Sequence, residues 1–132
     1  MATRVFGLAA VVAVGASLTV LTPVPAAADK SGTCAFELSA PRLMTIPGGP
    51  TVVTTTLRPT HCTGDAQPAS TTVCLSPDGG AGQCATKLGP DGAEVFFAPT
   101  DSATGYTATG TGSIWIGNHM GSVTAGPIHA TP

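Results

Sequence analysis

Beyond residue 29, glycine and proline recur so often that no stretch between them is long enough for three helical turns. Proline removes a backbone donor and clashes with the preceding turn, and each interior glycine costs a helix about 1 kcal/mol. The gaps hold short runs of Thr, Val, Ile and aromatic residues, each closed by a turn signal. That pattern predicts an all-β chain.

Cys34, Phe36 and Leu38 share one face of the first run at period two, with Glu37 on the other. Pro41 interrupts, and Arg42 to Ile46 resumes before the turn Pro47-Gly48-Gly49-Pro50. Val53, Thr55 and Leu57 mark one face of a second long run. Val95-Phe96-Phe97 is continuously apolar, which predicts burial on both faces. Tyr106 to Thr109 and Ser113 to Ile116 form one strand loosened by Gly110 and Gly112, or two strands. A last strand is broken at Pro127, which suits an edge. Seven or eight short antiparallel strands with no helix predict a single small disulfide-stabilised β-sandwich of the immunoglobulin-like kind.

Residues 1–28 stand apart. Arg4 precedes an uncharged apolar stretch from Val5 to Leu21, and Ala26 and Ala28 fit an A-x-A cleavage pattern. This predicts a secretory signal peptide removed after Ala28, leaving residues 29–132 as one domain. A retained anchor would need a longer apolar span, unbroken by Pro23 and Pro25. The expected destination is extracellular, free or associated with the cell wall. Abundant Ala, Gly, Thr, Pro and Val, with little Lys, Asn or Ile, suggests a bacterium with a GC-rich genome.

Cys34, Cys62, Cys74 and Cys84 all lie beyond the cleavage point. An even count in an exported chain of this size reads as two disulfides. In the stretch Cys74-Leu-Ser-Pro-Asp-Gly-Gly-Ala-Gly-Gln-Cys84, a three-residue loop Asp78-Gly79-Gly80 sets Leu75 opposite Gln83 and Cys74 opposite Cys84. Gly80 takes the left-handed position in that register. Directly opposed cysteines are close enough to bond. Cys34 then pairs with Cys62, whose midpoint is Gly48 in the proline-glycine turn. A strict hairpin about that midpoint sets Leu38 opposite Arg58 and puts Leu57 on the wrong face. A bulge near Pro41 must shift the phase, or the two runs lie in different sheets. The competing pairing is Cys62 with Cys74 and Cys34 with Cys84.

The acidic side chains outnumber the basic ones, and no basic run offers a footprint for nucleic acid or for an anionic membrane surface. No catalytic motif stands out, and the carboxylates sit singly in turns or strands. The cysteines lack the close spacing of zinc ligands, and His61, His119 and His129 read as loop or edge residues. No enzyme activity, metal or cofactor is expected.

Three places offer a recognition surface. Asp78, Gly79 and Gly80 form a stapled tip. Arg42 and Met44 lie between prolines in a segment that suits an inhibitor's rigid loop. Trp115 reads first as a core residue against a disulfide; if exposed, Trp115 and Tyr106 would form a stacking platform for a sugar or peptide ring. The expectation is a secreted, non-enzymatic module that recognises an extracellular protein or a cell-envelope component, with no membrane contact after cleavage. The alternative is a secreted inhibitor of a protease or glycosidase.

Overall fold

The computed structural model describes residues 30–100 and 105–132, and the expected signal segment, residues 1–28, lies outside them. Eight strands follow in chain order: β1 (Cys34–Leu38), β2 (Arg42–Thr45), β3 (Thr51–Cys62), β4 (Ala66–Pro77), β5 (Gln83–Leu88), β6 (Ala93–Phe97), β7 (Tyr106–Ile116) and β8 (His119–Ala130). The described residues contain no helix.

The first sheet is built around β3. Thr54 pairs with Arg42 on one edge and Phe96 on the other, and Leu57 pairs with Leu38 and Ala93. Because a strand has only two edges, β1 and β2 lie end to end along one edge and β6 lies along the other. The second sheet has the order β5-β4-β7-β8, antiparallel throughout. The three rows of the first sheet take the A, B and E positions of an immunoglobulin-like sandwich, and the second sheet takes C′, C, F and G. The disulfides differ from the antibody pattern. Cys34–Cys62 joins β1 to β3 and Cys74–Cys84 joins β4 to β5, so each lies within one sheet. Two such bridges fit an oxidising, extracellular environment.

The β1–β3 hairpin carries the phase shift that its sequence demands, and then reverses it. Between the Arg42–Thr54 and Leu38–Leu57 pairs, the first strand spends one residue more than β3. Leu38 thereby faces Leu57 rather than Arg58. Between Phe36–Pro59 and Ala35–His61, β3 spends the extra residue, at Thr60. The two irregularities cancel, and Cys34 comes to rest opposite Cys62. Pro41 is buried in the first of them, where its missing donor is harmless. The gap is bridged by the amide of Ser39, which donates to the Thr56 carbonyl at 2.9 Å.

The core lies between the sheets. Val53 and Leu57 from β3 meet Val73 and Leu75 from β4, with Ala93, Val95, Tyr106 and Ala108 completing the cluster. A second cluster, Cys34, Ala66 and Ile114, lies beside it, and Phe36 packs against both. β7 is one strand, and its glycines do not loosen it. Phe36 sits directly over Gly112, and a Cβ at Gly110 would lie 2.6 Å from a methyl of Leu57. The missing side chains of β7 are the space that Phe36 and Leu57 fill from the opposite sheet. The Val95-Phe96-Phe97 run is buried on one face only: Val95 points inward, while Phe96 stands exposed on an edge strand.

Thr71 faces this core with a buried hydroxyl that has no hydrogen-bond partner among the described residues. An unmet buried hydroxyl costs about 1–3 kcal/mol, and valine has the same shape without it. Thr71→Val is therefore expected to raise the unfolding free energy by about 1 kcal/mol. Urea melts of the two proteins check this, and a less stable valine variant would contradict it.

Candidate functional site

The residues singled out in the sequence do not gather. Asp78, Gly79 and Gly80 lie beyond the end of β4 that pairs with Tyr106, whereas Trp115 lies beside the opposite end, next to Gln67. The length of β7 separates the two, about 30 Å at strand rise. Arg42 and Met44 belong to the other sheet, on its outward face.

The tip follows Pro77. The ladder keeps the Cys74–Cys84 and Leu75–Gln83 pairs and then stops, so the connection runs over residues 78–82 rather than over three residues. The Gly80 amide donates to the Pro77 carbonyl, and the left-handed residue is Gly79, with φ of 72°, not Gly80. With no other residue of the tip at positive φ, Pro77 to Gly80 fits a type II turn, which requires glycine at its third position. The Asp78 carboxylate lies 2.9 Å from Nε2 of His129, which ties the tip to β8.

The segment between Pro41 and Pro47 is not a presented loop. Arg42 to Thr45 pairs residue by residue with Thr51 to Thr54. The Arg42 guanidinium lies 3.9 Å from Glu94, and Met44 is half-buried opposite Val52.

Tyr106 and Trp115 have opposite fates. Tyr106 is buried, meets Phe97 edge-to-face at 6.3 Å, and accepts a hydrogen bond from the Thr100 amide. Trp115 is 46 % exposed, which overturns the core reading. Both follow from strand alternation. Tyr106, Ala108, Gly110, Gly112 and Ile114 point inward, so the odd-numbered residues, Trp115 among them, point out. No platform can use both aromatics.

Trp115 belongs to the outward face of the second sheet. The registers set Thr86, Thr72, Thr111 and Thr124 in one row across all four strands, and Leu88, Ser70, Ser113 and Ser122 in the next. The Thr72 and Thr86 hydroxyls touch at 2.9 Å, which confirms that they share the face. The following row is Gln67, Trp115 and Met120. Met120 is exposed, and so is Leu88 beyond the serines. Rows of this kind are spaced by about 6.6 Å along a strand, and strands by about 4.8 Å. The outward positions of all four strands hold no Lys, Arg, Asp or Glu.

At the Trp115 end the face runs into a cavity of about 320 Å³ lined by Lys30, Asp65, Gln67 and Trp115 together with backbone of the Gly64 and Gly117 turns. An indole wall, an amide, a carboxylate and an ammonium group thus border one open space. Two further cavities among the described residues, of about 210 and 330 Å³, border Gly92, Ala93 and Glu94 and are lined by no aromatic residue. Among the described residues no three of His, Cys, Asp and Glu gather as a metal site would require. His61, His119 and His129 sit at three separate places on the strands.

Gln67, Asp65, Lys30 and Met120 carry no motif. A signal for the face was nevertheless present. Thr107-x-Thr109-x-Thr111-x-Ser113-x-Trp115 alternates strictly, and glycine or alanine between the hydroxyls marks the buried side. No protein-family model, curated protein or solved structure matches this chain.

Proposed function

We propose that this chain is a small secreted, non-enzymatic recognition module that binds a component of the cell envelope through the outward face of its four-stranded sheet. The observation that carries the reading is Trp115, exposed in a face free of charged side chains and adjoining a polar cavity. A rigid sheet holds that indole at little entropic cost to binding, and exposed Trp is the residue type most often dominant in interfaces. Secretion rests on the signal-like residues 1–28 and on the two disulfides.

Sedimentation of purified residues 29–132 with isolated envelope of the producing organism tests the reading. The unmodified protein is expected in the pellet, and so is Asp78→Ala at the far tip. Trp115→Ala is expected to stay in solution, with its melting temperature shifted little because the side chain lies outside the core. Equal sedimentation of all three, absence of the unmodified protein from the pellet, or turnover on a hydrolase substrate panel would overturn it.

A further inference from the structure

We infer that the ligand is a neutral polysaccharide, with one pyranose ring stacked on Trp115 and its hydroxyls held by Gln67, Asp65 and Lys30. This inference rests on the recognition reading above and names its ligand class.

The chemistry of the site selects the class. A pyranose ring has an apolar C–H face and a rim of hydroxyls, each both donor and acceptor. Trp115 supplies a flat apolar surface of matching kind. Gln67, its direct neighbour on β4, supplies an amide with donors and acceptors on one group. Asp65 adds an acceptor and Lys30 a donor at the same cavity. One carboxylate and one ammonium group leave the cavity without net charge, so neither an anionic nor a cationic ligand has an electrostatic advantage there. The volume of about 320 Å³ admits one ring and its substituents.

The rest of the face extends the site from a single sugar to a chain. Met120 continues the apolar surface across β8. The serine row beside it presents hydroxyls on three strands, and the threonine row beyond presents them on all four. A neutral glycan laid along the face exchanges its water contacts for these hydroxyls and leaves no charge unpaired. A charged protein surface or nucleic acid would meet no counter-charge on those rows.

Depletion from solution by microcrystalline cellulose and by chitin tests the inference, with purified residues 29–132. The unmodified protein is expected to be depleted by at least one of the two. Trp115→Ala should weaken retention at least about tenfold, and Gln67→Ala several-fold. Phe96→Ala, on the outward face of the other sheet, should leave it unchanged, which controls for general apolar sticking. Trp115→Phe keeps an aromatic ring and should restore most of the loss, so a folding defect in the alanine variant is told apart from a lost contact. No depletion by either polymer, or depletion that Trp115→Ala leaves intact, overturns the inference. If depletion fails while envelope sedimentation still depends on Trp115, the glycan assignment falls and the recognition reading stands.

Discussion

Removing the Cys34–Cys62 bridge as a double alanine variant should lower the unfolding free energy by about 3–4 kcal/mol, and removing Cys74–Cys84 by about 2–3 kcal/mol. The bridges span sequence separations of 28 and 10 residues, and on the chain-entropy model the longer loop restrains the unfolded state more. Packing adds to the difference in the same direction. Cys34 is buried with Ala66 and Ile114, so alanine there leaves space, whereas the Cys74–Cys84 bridge lies on the outward face beside the threonine row. The Cys34–Cys62 bridge also closes a hairpin in which two register irregularities must cancel. Urea unfolding of both double variants checks the order of the two losses. A Cys74–Cys84 loss equal to or larger than the other would contradict it.

Leu57→Ala should cost about 4 kcal/mol. Leu57 is fully buried near the middle of β3, between Leu38 and Ala93 within its sheet, and its methyls press on Gly110 of the opposite sheet. Gly110 has no side chain with which to refill the space, so the cavity persists and the cost falls towards the upper part of the range for buried leucines. Small domains have total stabilities of about 5–15 kcal/mol, so this one side chain is a large share of the whole. Leu88, 79 % exposed on the edge strand β5, is the internal comparison, and its alanine variant should lie within about 0.5 kcal/mol of the unmodified protein. Denaturant melts of the two variants measure both values. A Leu57→Ala cost below about 1 kcal/mol would contradict the packing described.

The all-β class and a count of seven or eight strands, against the eight present, were legible because turn residues punctuate the chain and helices have no room. The Cys74–Cys84 register was legible because the same pairing satisfies the cysteines and the turn at once. The turn itself was placed one residue too late: the five-residue connection makes Gly79, not Gly80, left-handed. The Cys34–Cys62 hairpin was legible at its ends but not in its middle. A bulge reverses the faces for only a few residues, and nothing local reveals that Thr60 undoes what happens at Pro41.

The glycines of β7 hid more. Alternation of large apolar residues normally identifies a strand's buried face, but here the core volume belongs to Phe36 and Leu57, distant in sequence. With Gly110 and Gly112 leaving either one loosened strand or two, Tyr106 and Trp115 did not have to lie in one strand, and their opposite parity carried no information. Once β7 is continuous, an odd separation puts the two aromatics on opposite faces. The cavity beside Trp115 was out of reach for a different reason: it joins Lys30, the segment from Gly64 to Gln67, and Trp115 with Gly117, three stretches that only the fold brings together.

Trp115 is the single tryptophan of the chain, so its emission reports on one place. Acrylamide quenching of that emission, measured with and without soluble cello- or chito-oligosaccharide, tests the proposed glycan-binding face most directly. The expected result is strong quenching in the free folded protein and marked protection by at least one of the two sugars. A tryptophan already shielded in the free protein, or one quenched to the same extent with both sugars as without them, would contradict the account.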